Sequence, residues 1–493
     1  MAVALWYTNH VGVLDIAIVL IYLFCVIGIG VLSSKKVVSM VDYLVAGRRI
    51  SPYLGVASLG GTELGLITVM YNAQKGFSAG LSALHMAIIA GVVTFMVGQT
   101  GFIVVPLRRL KVLTIPEFYE QRFGQSVRVL GAIVLVLAGV LNMGLFLKVA
   151  AIFVSVMFGW DPTGWPLMIC MSALLMMVLA YTLLGGMVSV ILTDFIQFVL
   201  LSLALIIFVG FLYVGLGWEA IVSGWMAVHG AVGFNPFHSN SGFGLSYVVW
   251  MVVTAGLVSI AIWPTALSRA LVLPDDAAVK KQYTLASIPM MARFVIPMVI
   301  GAMAFVLLGP GDGLVAFPTA ALQVLPLGFL GVLVAGLLAA MMSTFDGYLL
   351  CWSSVIVRDI IMPLSKRHWT DAEQMRLIRR FVVLCGVFML YWGLFYQGSE
   401  DVWDYLAITG AIYFTGAIPV MIGGLYWKRA STVGAMLSLL CGCFALFGLS
   451  PVQQVLGVPL SSAQIGLITV GLASATFIGG SLVWPSTECS HVG

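Results

Sequence analysis

The stretch that decides the fold is S58-L-G-G-T-E-L-G-L66, in which a glutamate and three glycines interrupt an apolar run at residues 53–73. A run of about 20 apolar residues is long enough to cross the hydrocarbon core of a bilayer as a helix. Because glycine is poor in a helix interior, the glycines indicate either close helix packing or a broken helix. Packing explains the glycines but not Glu63, whereas a break also frees backbone carbonyls that bind a cation. We therefore predict a broken membrane helix at Glu63.

The composition of the whole chain is typical of a polytopic membrane protein. Of its 493 residues, 61% are hydrophobic and 9% are charged, whereas an ordinary soluble protein is about a quarter charged. So few charges cannot cover a soluble surface, which excludes a cytosolic enzyme and a disordered chain. The seven cysteines show no metal-ligand spacing and are interpreted as small apolar residues. The net charge of +4 is modest and does not indicate nucleic-acid binding.

Apolar runs long enough to span a bilayer occur thirteen times along the chain. They are residues 11–33, 53–73, 80–106, 129–158, 164–184, 188–216, 246–268, 285–309, 327–357, 381–397, 405–427, 432–449 and 463–484. The first run lacks a small-residue cleavage site and has no Lys or Arg before it. It is therefore predicted to be a retained span and not a signal peptide.

The basic residues predict how the spans are oriented. When the loops are assigned alternately from an outer N-terminus, 20 of the 23 Lys and Arg residues fall on the inner side. Lys75 is then the one basic residue in an outer loop, and Lys148 and Arg293 fall within spans. This bias follows the positive-inside rule and favours an odd number of spans, with the N-terminus outside and the C-terminus inside. The loops are short, so transport is the function class that the chain favours.

Six ionisable residues fall within the predicted spans, where each requires a partner, water or an ion. They are Asp15, Glu63, Lys148, Asp194, Arg293 and Asp346. Asp15 lies near an outer end, and Arg293 is close enough to the inner end for its side chain to reach the headgroups, so both are assigned structural roles. Lys148 is equally compatible with snorkelling and with a place on the transport pathway.

A second polar constellation is A339-A-M-M-S-T-F-D346. A lone hydroxyl in a membrane helix usually bonds back to a carbonyl one turn earlier. Two adjacent hydroxyls, Ser343 and Thr344, beside small residues and a carboxylate are better suited to a dehydrated Na⁺, which prefers oxygen ligands. Asp194, in I191-L-T-D-F-I-Q197, either caps the start of a helix or serves an ion exit path.

Five ordered stretches together resemble the sodium:solute symporter family, which includes bacterial proline, galactose and sialic acid transporters and mammalian sodium/glucose transporters. They are D42-Y-L-V-A-G-R-R49; T114-I-P-E-F-Y-E-Q-R-F-G124; Y181-T-L-L-G-G-M-V-S189 with T193-D-F-I-Q197; L338-A-A-M-M-S-T-F-D346 with S353-S and R358-D; and W427-K-R with G434-A. Each stretch is weak alone, but their order and spacing make the resemblance specific.

The resemblance implies an all-α membrane fold with a LeuT-like core of two inverted five-helix repeats. On this chain it divides the residues into a leading helix and loop (1–50), a first repeat (51–217), an extracellular loop (218–245), a second repeat (246–428) and two trailing helices (429–493). The first helix of each repeat is broken, and Pro264 suits the second break. The solute site is expected where the two breaks meet.

The family's sodium site can be transferred to this chain residue by residue. The resemblance implies carbonyl ligands from Gly61, Leu64 and Ala340 and hydroxyl ligands from Ser343 and Thr344. It assigns Asp194, together with Asp346, to sodium release or to a second ion. No organic cofactor is expected.

The predicted substrate residues are Glu63, Thr68, His85, Gly256, Ser259 and Trp263. Glu63 stands where relatives carry a shorter polar residue, and three roles remain open: binding a cationic solute group, pairing with His85 or Lys148, and taking up a proton. Gly256 and Ser259 are small where relatives place aromatic or amide side chains, so a sugar or proline site is not expected. Trp250, Trp263, Trp403 and Tyr405 either line an aromatic vestibule or simply lie at membrane interfaces.

We predict sodium-coupled secondary active symport of a small polar organic solute into the cell by alternating access. An amine, an amino acid and an organic acid all remain open as the solute. The protein is expected in the cell membrane as a multi-pass protein, with the lipid bilayer as its partner, without nucleic acid, and compatible with a homo-oligomer. Two alternatives are a proton-coupled symporter that uses Glu63 and a non-pumping sensor or channel-like relative. No motif of an intramembrane enzyme is present.

Overall fold

A computed structural model of the chain describes residues 11–34, 51–183, 187–256, 259–365 and 367–485. Throughout these ranges the regular structure is helical, and no β-strand occurs in them. The predicted all-α class is confirmed. Residues 42–49 and the glycine pair 185–186, both used in the family resemblance, lie outside the described residues.

The first half of the chain contains eleven helices in the described ranges. They are α1 (Val13–Ser34), α2 (Pro52–Glu63), α3 (Leu66–Ala79), α4 (Leu84–Thr100), α5 (Val104–Arg109), α6 (Ile115–Phe123), α7 (Gln125–Met143), α8 (Phe146–Met157), α9 (Gly164–Thr182), α10 (Met187–Leu216) and α11 (Trp218–His229).

The second half begins with α12 (Leu245–Trp250), which runs into a π-helical turn at Met251–Gly256. The helices that follow are α13 (Ser259–Ile262), α14 (Pro264–Leu271), α15 (Asp276–Leu308), α16 (Gly313–Val324), α17 (Phe329–Val355), α18 (Met362–Ser365), α19 (Asp371–Phe395), α20 (Val402–Tyr426), α21 (Thr432–Gly442), α22 (Ser450–Leu456) and α23 (Ser462–Val483).

The predicted break at Glu63 is confirmed, and it separates α2 from α3. Helix α2 ends at Glu63, Leu64 leaves the helical region with φ −98° and ψ 66°, and α3 begins after Gly65. A Cβ at Gly65 would lie 2.2 Å from Oγ1 of Thr344. The two explanations of the glycines therefore both hold: the helix is broken, and one of its glycines packs closely against α17.

The second predicted break, at Pro264, is also confirmed. Helix α13 ends at Ile262, Trp263 is extended with φ −76° and ψ 126°, and Pro264 is the first residue of α14. A proline disfavours the helical conformation of the residue before it and suits the first position of a helix. The sequence W263-P therefore ends one helical segment and begins the next.

The membrane spans agree with the predicted runs in position, although their number stays a prediction. By length and composition, eight described helical stretches are able to cross a membrane, or nine if the bent pair Thr432–Gly448 and Ser450–Leu456 is one span. Shorter apolar helices at Val13–Cys25, Gly164–Ala180 and Leu245–Thr254 lie in three further predicted runs. The orientation of the two termini also stays a prediction.

Helix α16 is an element that the sequence analysis missed, because its stretch was assigned to an outer loop. It has 12 residues, too few to cross a bilayer. Its Phe317, Ala320 and Ala321 are nevertheless fully buried, and it packs on α3, α8 and α15. A helix that covers other helices without spanning the membrane leaves no span-length signal in the sequence.

Candidate functional site

The two helix breaks face a central cavity that is partly open to solvent. Helices α2, α3, α4, α7, α14, α15, α17 and α20 all contribute to its wall. The polar side chains on the wall are Thr62, Glu63, Thr68, Thr94, Asn142, Arg293 and Thr344, and the aromatic ones are Tyr71, Phe146, Trp263, Phe294, Tyr348, Trp403 and Phe414. The cavity therefore combines a large aromatic surface with a few polar groups, as small-molecule sites do.

Glu63 forms an ion pair with Arg293 on this wall. Nη1 of Arg293 lies 2.5 Å from Oε2 of Glu63 and also donates to the Glu63 carbonyl at 3.0 Å. Each side chain is 13% exposed. The structural role assigned to Arg293 is corrected, because its guanidinium points toward the helix break at Glu63 and not toward the lipid headgroups. Glu63 thus pairs with Arg293 and not with His85 or Lys148.

The other predicted substrate residues are only partly brought together. Thr68 lies on the cavity wall and donates to the Glu63 carbonyl at 2.9 Å, and Trp263 lies there with its Nε1 donating to the Tyr348 hydroxyl at 3.0 Å. His85 lies outside the wall: its Nδ1 is 2.7 Å from the Ser82 carbonyl, and its ring packs on Phe243.

Gly256 and Ser259 flank positions 257 and 258, which are beyond the described residues. Gly256 ends the π-helical turn, and Ser259 begins α13. Both therefore precede the helix break at Trp263. Two roles were left open for Lys148. Its Nζ donates to the Tyr396 carbonyl at 3.5 Å, and the residue is not part of the cavity wall.

The predicted sodium residues meet at the end of α2. Ser343 and Thr344 are buried on α17, and Thr344 donates to the Thr62 carbonyl at 3.3 Å. Gly61 packs on α10, since a Cβ there would lie 2.7 Å from the Asp194 carbonyl oxygen. Leu64 is the buried residue that follows α2, and Ala340 is one turn before Thr344 on α17. Helices α2, α10 and α17 therefore converge at the predicted ion position.

Asp194 accepts hydrogen bonds from three hydroxyls on two helices. Its Oδ2 accepts from Ser58 at 2.7 Å and from Thr62 at 3.1 Å, and its Oδ1 accepts from Ser343. We call Asp194, Ser58, Thr62, Ser343 and Arg269 the Asp194 cluster. Asp194 is fully buried and lies eight residues into α10, so it does not cap that helix.

Arg269 supplies the positive charge of the Asp194 cluster. Its Nη2 lies 3.5 Å from Oδ2 of Asp194 and donates to the Thr62 hydroxyl at 2.7 Å. Arg269 is 1% exposed on α14, which corrects its assignment to a solvated inner loop. A buried carboxylate is stable only when it is paired and hydrogen-bonded, and this one has both kinds of partner.

Asp346 is buried one turn beyond Met342 on α17 but does not join this cluster. It is 2% exposed, and its Oδ2 has no hydrogen-bond partner in the described part of the chain. Its carboxylate nevertheless lies close enough to Asp194 and Arg269 to interact electrostatically with both, so the assignment of the two carboxylates to sodium release or a second ion stays a prediction.

A second cavity lies between α14, α17 and the segment before α6. Its wall includes Thr114, Pro264, Arg269, Gly347 and Cys351. Because Arg269 also belongs to the Asp194 cluster, this cavity adjoins the predicted ion position. We call it the inner cavity, because the helices around it end in the basic loops that are predicted to lie on the inner side of the membrane.

Lys75, which was assigned to an outer loop, is buried in α3. Its Nζ lies 2.9 Å from Asp401 and 2.8 Å from Asp404, and Tyr247 donates to Asp404 at 2.8 Å. Below this group, Tyr71 packs on Trp403 with ring centroids 5.0 Å apart. A charged contact and an aromatic contact therefore join α3 to the first turns of α20.

Four residues of these clusters were missed as site residues: Ser58, Thr62, Arg269 and Arg293. Ser58 and Thr62 are four residues apart, so both hydroxyls lie on one face of α2, and this spacing is a signal that the sequence offered. Arg269 lies five residues after Pro264, on a short amphipathic helix. Arg293 was noticed as a charge inside a predicted span, but its partner is 230 positions away and no local spacing points to it.

Comparisons of the sequence with known proteins agree on one family of transporters. The model of the sodium:solute symporter family matches residues 43–442. The chain is 23% identical to a sodium/proline symporter of Staphylococcus aureus over 82% of this chain and 80% of that protein. It is 25% identical to a monocarboxylic acid transporter of Corynebacterium glutamicum over 84% of this chain and 82% of that protein.

Among solved structures, the fold resembles that of a substrate-bound, outward-open Na⁺-coupled sialic acid symporter. The TM-score is 0.80 at 19% identity, over 97% of this chain and all of that chain. At this identity the likeness shows the fold alone.

Proposed function

Because the chain belongs to the sodium:solute symporter family, we propose that it carries a small polar organic solute into the cell together with Na⁺. It is a multi-pass protein of the cell membrane and a transporter, not an enzyme. The solute, the direction of transport and the residues below are our proposal. The relatives named above act on different solutes by name, so they do not choose one for this chain.

The observation that supports coupling is that the predicted ion position and the central cavity share residues. Thr62 and Thr344 lie on the cavity wall. The Thr344 hydroxyl also donates to the Thr62 carbonyl at the end of α2. An ion bound there would fix the wall against which a solute packs. Coupling between two sites of this kind is a shared free energy, so each ligand raises the affinity for the other.

The hydroxyls near the ion position suit a cation. Ser343 directs its proton toward Asp194, and Thr344 directs its proton toward the Thr62 carbonyl. The lone pairs of each hydroxyl oxygen then remain available for Na⁺. With the carbonyls of Gly61, Leu64 and Ala340, they would form an all-oxygen ligand set.

In the proposed cycle, Na⁺ holds α2 against α17 and favours a state open to the outside. Rocking of the helices around the two breaks then exposes the ion and the solute to the inner cavity. Asp194, which contacts both cavities through its cluster, would receive Na⁺ as it leaves. Movement of one charge through 100 mV supplies about 2.3 kcal/mol for the cycle.

The proton-coupled alternative finds less support. Glu63 is ion-paired with Arg293 and accepts from Thr265 at 3.3 Å. A residue that takes up a proton in every cycle would have to lose the Arg293 contact each time.

The test is the thermal stability of the purified protein in Na⁺ and in K⁺ at equal ionic strength and pH. We expect Na⁺ to raise Tm in the wild type and not in Ser343→Ala/Thr344→Ala. A matched control is Ser438→Ala/Thr469→Ala, which removes two buried hydroxyls that bond to carbonyls in the trailing part of the chain. It should keep the Na⁺ response. If Na⁺ has no effect on the wild type and a pH change does, sodium coupling is wrong and Glu63→Gln becomes the next variant.

A further inference from the structure

We propose that the solute carries a carboxylate group and that Arg293 binds this group in the central cavity. The proposal rests on the proposed function, because it assigns a solute class to the same cavity. It also assigns Glu63 the role of holding the guanidinium in place, in preference to binding the solute.

The first argument is the unused hydrogen-bonding capacity of Arg293. A guanidinium has five N–H donors, and the two on Nη1 face the carboxylate and the carbonyl of Glu63. No acceptor within the described ranges is bonded to Nη2 or to Nε. Nε is buried, whereas Nη2 belongs to a side chain on the cavity wall. Nη2 therefore offers two free N–H donors to an anionic oxygen in the cavity, and a hydrogen bond between two charged groups is a strong one.

The second argument is that both carboxylate oxygens of Glu63 already have a partner. One carboxylate oxygen accepts from Arg293 and the other from Thr265. A cationic solute would therefore have to share this carboxylate with a guanidinium and lie close to a like charge. A carboxylate on the solute meets the opposite situation, since it approaches the positive partner of the pair.

The third argument is the charge balance of the cavity wall. Glu63 and Arg293 are the charged side chains among the residues that line it, and their charges cancel. Na⁺ alone or a carboxylate alone would bring a net charge into a site of low dielectric, which is costly. The two together are neutral. Binding of the anionic group and of Na⁺ would then be mutually dependent, which is the property that a symporter requires.

The rest of the wall indicates a solute with an apolar or aromatic body. Trp263 and Phe414 pack with ring centroids 5.1 Å apart. The donors of the neighbouring polar groups are already used: Trp263 Nε1 by Tyr348, Thr94 by the Ala90 carbonyl, and Asn142 by the Leu406 carbonyl. A polyhydroxylated solute would find few free partners on this wall.

The test is a thermal-shift and sodium-titration panel of compounds that share a skeleton and differ in charge. The probes are hydrocinnamate, phenylalanine and phenethylamine, then butyrate and butylamine, with glucose as the uncharged member. Each is added to the purified wild type in Na⁺ and in K⁺. We expect a carboxylate-bearing member to raise Tm in Na⁺ only and to lower the half-saturating Na⁺ concentration, while the amines and glucose have no effect.

Three variants connect this response to Arg293. Arg293→Gln alone leaves Glu63 without its partner and is prone to misfold, so the main variant is Glu63→Gln/Arg293→Gln, which removes both charges and keeps two polar side chains. It should keep the Na⁺ response and lose the carboxylate response at least tenfold. Arg293→Lys should weaken the carboxylate response, because an ammonium lacks the planar fork. Glu63→Gln alone should retain it, because the amide oxygen of Gln can still accept from Nη1 and hold the guanidinium in place.

The outcomes separate the two proposals. If Na⁺ does not stabilise the wild type, the proposed function fails. If Na⁺ stabilises it but no carboxylate does, or only an amine or glucose does, the carboxylate proposal is wrong and the proposed function stands. A carboxylate response that survives in Glu63→Gln/Arg293→Gln also overturns the role of Arg293.

Discussion

Asp194 is the residue at which the two predicted repeats and the predicted ion position meet. It accepts hydroxyl protons from α2 and α17 and faces the Arg269 guanidinium from α14. The sequence identified Asp194 as a buried carboxylate and left its role open between a helix cap and an ion path. Its partners lie 132 or more positions away in α2 and 149 positions away in α17.

Asp194→Asn is expected to abolish the rise in Tm that Na⁺ produces, or to weaken the apparent Na⁺ affinity at least tenfold. The amide cannot accept at both positions where hydroxyls now donate, and it leaves Arg269 without a counter-charge, which costs about 3–5 kcal/mol when buried. The measurement is a Na⁺ titration of Tm. The control Asp161→Asn changes an exposed aspartate that bonds only to Thr163. An unchanged Na⁺ response in Asp194→Asn would exclude this residue from the ion path.

Asp15→Ala is expected to destabilise the protein without changing its Na⁺ response. Asp15 is fully buried and accepts from the amides of Gly328 and Gly331, both at 2.7 Å, so it joins α1 to the start of α17. Hydrogen bonds to a charged group are worth about 1.5–3 kcal/mol each. The check is a Tm well below that of Asp312→Ala, which removes one exposed helix-capping bond worth about 1 kcal/mol. A Tm equal to that of the control would contradict this anchoring role.

At the scale of elements, the two broken helices determine where the cavity lies. Each break was predictable, because glycines and a proline act on the backbone within a few residues of their own position. What each break packs against was not predictable, since that depends on a helix elsewhere in the chain. Gly65 illustrates this: its lack of a side chain is needed because Thr344 is close.

Gly65→Ala is expected to weaken the Na⁺ response more than it lowers stability in K⁺. The added methyl group would lie 2.2 Å from Oγ1 of Thr344 and force this hydroxyl away from the end of α2. Gly210→Ala is the matched control, because Gly210 is an exposed helical glycine whose Cβ would meet no atom within 4 Å. The control should be neutral or slightly stabilising. If both variants titrate with Na⁺ like the wild type, Thr344 does not take part in ion binding.

At the scale of the whole molecule, the long-range ion pairs connect the two predicted repeats. Glu63–Arg293, Asp194–Arg269, Lys75–Asp404 and Arg128–Asp359 each join a residue in 51–217 to one in 246–428. Lys75 contacts the first turn of α20 through Asp404. Arg122 bonds to the Gly424 carbonyl at the last turn of α20. Arg122 belongs to α6, which comes just before Arg128 in the chain. A helix of 25 residues is about 37 Å long, so these contacts lie at opposite ends of the molecule.

Lys75→Gln and Arg128→Gln are therefore expected to have opposite effects on access to the inner cavity. Loss of Lys75 weakens the outer contact and should slow modification of Cys351, which lines the inner cavity, by a maleimide. Loss of Arg128 weakens the inner contact and should speed this reaction. The readout is labelling that disappears in Cys351→Ser. Arg367→Gln, which breaks an exposed pair with Glu373, should leave the rate unchanged. If both variants change the labelling rate in the same direction, the two contacts do not have opposite effects on the opening of the inner cavity.

The membrane class, the positions of most helices, both breaks and the family could all be predicted from the sequence. These features depend on hydrophobic runs and on residues such as Gly65 and Pro264, whose effects are local. The sequence also brought Glu63, Asp194, Ser343 and Thr344 to attention, because a polar group in an apolar run needs a partner.

Which residue pairs with each of these polar groups depends on how the helices pack in three dimensions. Arg293 appeared free to reach the headgroups, Arg269 appeared to lie in a loop, and Lys75 appeared to lie outside, yet each is buried against a carboxylate of the other repeat. A charge in low dielectric is stabilised by whichever opposite charge the packing brings near it. That distance is set by the arrangement of all the helices, and no local pattern in the chain encodes it.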